Sequence, residues 1–252
     1  MRINSKLLFV IAAIWVVLPA SGQFTHVLVP IVTAKTGGAF DSIWTSEAVA
    51  FNNSTARVVF DLDYRCSQLC TSGFILEPLS GSILPIAPES GAPAALIRVP
   101  VELIDSVEFA LRVRDVSRQS DSWGTEVPMV REDRAFRRPF DLLNVPLQAR
   151  FRQMLRIYDF EDRSGASVRV QYYDMTNGAL LKDSLLALLA PRSTDIFTPA
   201  YLQSDVFSQL GTLTGVDRIR VRISPTNDTQ HLWAMISVTN NVTQEVTMIT
   251  PQ

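Results

Sequence analysis

Apolar side chains fall on every second position in two similar stretches of the chain. The first is Ser54 to Tyr64, S-T-A-R-V-V-F-D-L-D-Y, with Ala56, Val58, Phe60 and Leu62 in phase. The second is Ser164 to Asp174, S-G-A-S-V-R-V-Q-Y-Y-D, with Ala166, Val168, Val170 and Tyr172 in phase. Period-two alternation predicts a β-strand with one buried face. The offset between the stretches is 110 residues, and neighbouring segments repeat at nearby offsets. Trp44 to Asn52 matches Phe151 to Asp159 at 107, each running into a turn rich in Asn or Asp. Ile97 to Val101 matches Ile219 to Ile223 at 122, an offset that carries Asp115-Val116-Ser117 onto Ser237-Val238-Thr239. Glu126 to Val130 matches Glu245 to Ile249 at 119. The same strand pattern thus occurs twice, and the offsets change between strands, where insertions belong.

The pattern predicts an all-β chain of two tandem immunoglobulin-like antiparallel β-sandwich domains, residues 24–130 and 140–252. The charge-dense segment 131–139 is expected to join them. Thr176-Asn177-Gly178 predicts a hairpin turn, with Gly178 supplying positive φ. Pro100 within a strand-like run predicts an edge strand. Leu202, Val206 and Leu210, followed by Gly211, predict one short helix near 199–211.

The N-terminus adds an address. Residues 1–22 read as a signal peptide: Arg2 and Lys6, an apolar run from Leu7 to Leu18, then Ala20-Ser21-Gly22 for cleavage near Gly22. The run is too short to cross a bilayer core, which needs about 20 residues. The expected product is secreted or periplasmic, with no stable membrane insertion after cleavage. Without Arg2 and Lys6 the balance is 21 basic to 25 acidic residues, or −4, which argues against nucleic acid as partner. In an exported chain, Cys66 and Cys70 read as a disulfide closing a small loop, contributing about 2 kcal/mol. A metal site would need more ligands than His26 and His231 offer, and a thioredoxin-type pair has two intervening residues.

Three segments resemble a tandem sandwich module of secreted proteins from environmental bacteria, one with no established activity. They are Gly124-Thr-Glu-Val-Pro-Met-Val130; Met154 to Asp159 with Ala166 to Gly178; and Trp233-Ala-Met-Ile-Ser-Val-Thr-Asn-Asn241. Asp159 and Phe160 depart from the module's usual Asn-Pro turn, and the cysteine loop is not part of its pattern. The resemblance implies fold and location and transfers no catalytic residue.

Candidate chemistry is sparse. Two scattered histidines, expected to be exposed or half-buried, and the absence of a Gly-x-Ser-x-Gly elbow give no nucleophile constellation. Asp61 with Asp63, and Glu161 with Asp162, are the close carboxylates a glycosidase would require, but solvated faces and turns account for them. No Asp-x-Asp-x-Asn-Gly calcium loop occurs, and no metal or cofactor is expected. Arg218, Arg220 and Arg222 share one strand face, either as a stripe for an anionic glycan or as a solvated face balanced by neighbouring acids. Trp44 and Trp233 occupy positions that the repeat fills with Phe151 and Leu111, so they are expected in the core. Trp123 lies in a loop three residues longer than its counterpart and is the candidate exposed aromatic. The Asn-x-Ser/Thr triplets at Asn52, Asn53, Asn227 and Asn241 serve as turn residues in a bacterial protein. The reading is a non-enzymatic structural or interaction module at the cell exterior. The partner would be an extracellular glycan or surface protein. A glycan-binding module using Trp123 or the arginines is the alternative, and a hydrolase with a carboxylate site is a further one.

Overall fold

A computed structural model describes residues 23–61, 73–86, 93–117, 123–160, 166–190, 198–211 and 213–251. The expected signal peptide 1–22, Cys66, Cys70, Asp63, Glu161 and Asp162 lie outside the described residues. The two alternating stretches do form strands: β4 (Val58–Phe60) and β13 (Ser167–Asp174). Val58, Phe60, Val168, Val170 and Tyr172 point inward and are buried, whereas Val59 is exposed.

The strands before residue 131 build two antiparallel sheets. In one, β1 (Phe24–Val29) lies between β10 (Val130–Arg131) and β7 (Ala95–Pro100). Backbone bonds between Asp61 and Arg98 extend it to β4 and β5 (Phe74–Leu76). The other has the order β2 (Thr36–Gly37), β3 (Ile43–Asn52), β8 (Val107–Asp115), β9 (Thr125–Val127), with β6 (Gly81–Ile83) also on β3. After residue 139, one sheet runs β11 (Phe140–Pro146), β16 (Arg218–Pro225), β13, β14 (Leu180–Ala187). Its partner runs β15 (Ala200–Asp205), β12 (Phe151–Asp159), β17 (Leu232–Asn240), β18 (Val246–Ile249). Inward residues of both sheets meet in one apolar cluster, as sheet-on-sheet packing requires.

Apart from β2 and β10, which have no counterpart after residue 139, and with β4–β5 joined to β7 through the Asp61–Arg98 bridge, the halves share a pairing order: β1-β7-β4-β5 corresponds to β11-β16-β13-β14, and β6-β3-β8-β9 to β15-β12-β17-β18. The third strand beside the sixth and the second beside the fifth are pairs an immunoglobulin domain also makes. The first strand, however, lies beside the sixth, and the seventh beside the second, where an immunoglobulin constant domain pairs first with second and sixth with seventh.

Strand pairing also corrects two alignments made from residue type. Trp44 faces Asp115 and Asn52 faces Val107; Phe151 faces Asn240 and Asp159 faces Leu232. Asp115 therefore corresponds to Asn240, not Ser237. Leu111 faces Val127 and Ile236 faces Ile249, so Val127 corresponds to Ile249, not Val246. Each alignment moves by three, an odd slip that exchanges the inner and outer faces. Asp115 and Asn240 also do the same local work: the Oδ1 of each accepts the N–H two residues on, at 3.0 and 2.9 Å. Trp233 consequently occupies the place of outward-facing Glu108, not of inward-facing Leu111.

Three local expectations have distinct outcomes. The turn at Thr176-Asn177-Gly178 closes the β13–β14 hairpin, with Gly178 at φ 76. The stretch near 199–211 is half strand: Leu202 pairs with Ile157, and only Val206–Leu210 is helical (α1). Asp205 caps that helix by accepting from the Ser208 N–H at 2.7 Å, and Gly211 ends it at φ 70. Pro100 lies, as expected, on a strand that ends the sheet order β10-β1-β7, with only the isolated Asp61–Arg98 bridge on its other side. It is the last residue of β7, opposite Phe24, and the chain turns there into a 3-10 segment where no ladder donor is needed.

The outer face of β12 and β17 is covered by the strands before residue 131. Leu232, Ala234, Ile236 and Val238 enter the second core, while Trp233 and Met235 join the first, together with Tyr158 and Phe160. That double burial explains the unbroken run L-W-A-M-I-S-V in β17. The Tyr158 hydroxyl donates to the Pro30 carbonyl, and its ring stacks on Trp233 at 6.2 Å.

Candidate functional site

β3 and β8 are internal strands, flanked on both sides, so side chains alone decide what their outer face can recognise. Thr45 and Glu47 of β3 stand opposite Arg114 and Arg112 of β8. Glu126 of β9 flanks Arg112 on its other side. Arg112 thus has a carboxylate in register on each neighbour, whereas Arg114 faces the neutral Thr45.

Trp123 is held above this row. Gly124 has φ 77 and lies so close to β8 that a Cβ there would come within 2.5 Å of the Val113 carbonyl oxygen. Only glycine lets the chain press onto the strand at this point. The preceding indole is 77% exposed, and the Arg112 guanidinium carbon sits 5.2 Å from its ring centroid. Such a contact biases the ring's position without burying it. Thr45, Glu47, Arg112, Arg114 and Trp123 line a cleft of about 80 Å³. A second cleft of about 160 Å³ shares Thr45, Glu47 and Arg114 and is walled by Ile83, Leu84 and Ile86. Of these residues, only Trp123 was legible as a candidate. The alternation L-R-V-R-D of β8 hints at two outward arginines, but only strand register sets them beside Trp123.

Arg218, Arg220 and Arg222 share the outer face of β16, as their spacing predicts, on a different sheet from Trp123. Arg222 makes two bonds of 3.1 Å to the Asp141 carboxylate, whose hydrogen bonds hold its pKa above the ordinary value. Arg220 has its Nε 3.9 Å from the same carboxylate and its guanidinium 4.4 Å over the Tyr173 ring. Arg218 donates to the Asn144 side chain at 3.2 Å. On the adjacent strand, Arg169 pairs with Asp183 at 2.9 Å. This mosaic of side-chain partners matches the solvated-face alternative more closely than a free cationic stripe does.

Asp61 is bound by Arg98 at 3.0 Å on the outer face of the first sandwich. Of the histidines, His26 is half-buried and His231 is buried, deeper than expected because it precedes the doubly covered strand β17. The backbone N–H and the Nδ1 of His26 lie 3.0 and 2.7 Å from one oxygen of Glu132, in the segment 131–139. Hydrogen bonding from His26, with a smaller contribution from His231, holds the Glu132 carboxyl below its ordinary range. Trp44 is half-buried against the first core, its indole N–H donating to Ser42 Oγ at 2.8 Å. Among the described residues no cluster of three or more His, Cys, Asp or Glu could hold a metal ion. Among them, too, no helix is long and apolar enough to cross a membrane.

No family model matches this chain, and no match is found among curated proteins or solved structures.

Proposed function

We propose that this chain is exported and acts outside the cytoplasm, without catalysing a reaction, as a tandem pair of β-sandwich domains. In this reading it binds a partner through the cleft at Trp123. Export rests on the charge, apolar run and small residues of 1–22. The tandem reading rests on the common pairing order of the two halves. One observation carries the binding role: a tryptophan 77% exposed, seated on Arg112 at a cleft, where burial in a core would be the ordinary fate of such a ring. The fold subordinates its other described tryptophans, Trp44 and Trp233, to packing.

The test is retention of the purified full chain on immobilised cell-envelope material. Trp123→Ala should abolish retention while leaving the thermal midpoint unchanged. Undiminished retention of the variant would remove the cleft from the function. Turnover on a hydrolase panel, lost in Asp61→Asn, would replace the binding reading with the enzymatic one, although Asp61 is tied to Arg98.

A further inference from the structure

We infer that the Trp123 cleft takes an acidic oligosaccharide, with an exposed indole for one sugar ring and Arg114 for a uronate carboxylate. This deepens the binding role proposed above and rests on it.

The charge pattern of the sheet face singles out Arg114. Arg112 stands in register between the carboxylate-bearing Glu47 and Glu126 and lies against Trp123. Arg114, two residues on and outward on the same face, is opposite Thr45. On its β9 side the chain reaches Gly124, which brings no side chain. Among the described residues no acid stands in register with Arg114, and its planar guanidinium fork matches a carboxylate.

Arg114 also lines both clefts, as do Thr45 and Glu47. A ligand whose anionic group meets Arg114 therefore extends in two directions. One leads to the Trp123 ring, the other to the 160 Å³ cleft walled by Ile83, Leu84 and Ile86. The flat apolar face of a pyranose stacks on an indole, and its hydroxyls bond to a carboxylate such as Glu47 and a hydroxyl such as Thr45. An acidic peptide is a poorer fit. Extended peptides bind sheets through free edge backbone, and β3 and β8 are flanked on both sides.

The test is calorimetric titration of the full chain with a short galacturonate oligomer, with the galactose oligomer of equal length, and with oligoglutamate. The galacturonate oligomer is expected to bind, and to weaken as salt is raised from 50 to 500 mM. Arg114→Gln should weaken it about tenfold or more, with Arg114→Lys recovering part of the loss. Trp123→Ala should abolish binding. Equal affinity for the neutral oligomer, lost in Trp123→Ala and unchanged in Arg114→Gln, overturns the acidic-sugar inference and keeps the cleft as the binding site. Tighter binding of oligoglutamate than of either sugar does the same. Galacturonate binding that survives Trp123→Ala, or no binding of any of the three, overturns the inference together with its placement at this cleft.

Discussion

Two buried tyrosines show how much a single hydroxyl depends on its partner. Tyr158 is buried where the two halves of the chain meet and donates to the Pro30 carbonyl. Tyr172 is equally buried in the second core, but its hydroxyl has no hydrogen-bond partner among the described residues. Burial pushes both phenols well above their ordinary pKa. An unsatisfied buried hydroxyl costs about 1–3 kcal/mol, and a satisfied one contributes about 1. Tyr158→Phe should therefore lower the thermal midpoint and Tyr172→Phe raise it; shifts of the same sign would contradict the assignment. Glu132 makes a prediction about pH. Its carboxyl pKa is lowered, chiefly by the hydrogen bond from His26, so the folded chain holds it ionised where the unfolded chain has begun to take up a proton. The stability it contributes is full above the ordinary glutamate value of 4.5 and is lost as pH falls through the lower folded value. Glu132→Gln should lower the midpoint at pH 7 by an amount worth about 1–2 kcal/mol and make the acid limb of the midpoint-versus-pH curve shallower. An unchanged acid limb would exclude Glu132 from it. Neither the lone hydroxyl nor the His26–Glu132 contact was visible in the sequence, because the partners are far apart along the chain.

At the level of elements, the alternation located β4 and β13 because one face of each meets a core. Alternation does not describe β17, where every residue from Leu232 to Val238 is buried. Residue type matched Trp233 to Leu111, since both are large and apolar. Strand pairing instead puts Trp233 at the place of Glu108, on a face that is solvated in one half and covered in the other. The segment after residue 199 holds the expected short helix, but only in its second half. Leu202, Val206 and Leu210 fit helical spacing, yet Ala200–Asp205 satisfies its backbone on β12, which leaves one turn for the helix. That turn depends on its caps. Asp205→Ala removes the acceptor for the Ser208 N–H and should cost about 1 kcal/mol in urea unfolding. A loss below 0.3 kcal/mol would mean that tertiary contacts of Val206 hold the helix without it.

At the scale of the molecule, the two halves of the chain share more than a connection. Trp233 and Met235 sit in the first core, Phe136 bridges to Leu232, Arg152 lies 5.3 Å over the Phe40 ring, and Thr125 Oγ1 donates to the Val246 carbonyl at 3.1 Å. The segment 131–139 is itself engaged through Glu132 and through Phe136, whose ring stacks on Phe140 at 4.5 Å. An apolar junction of this kind should make the halves unfold together. Calorimetry of the full chain is expected to show one transition, which Trp233→Ala, at a cost of about 3–5 kcal/mol, should split into two. Two transitions already present in the unaltered chain would show that the junction does not couple them.

The chain by itself determined the all-β fold class, the inward positions of β4 and β13 and the hairpin glycine, and it marked Trp123 as the candidate exposed aromatic. Each of these follows from neighbours along the chain, through side-chain alternation, turn chemistry or loop length. Tertiary structure alone decided which strands lie side by side, in what register, and which outer faces are covered. Those outcomes depend on contacts between residues distant in sequence, where an odd slip of register exchanges one face for the other. The same physics made Trp233 an interior residue of the junction and placed Arg112 and Arg114 beside Trp123 at an open cleft.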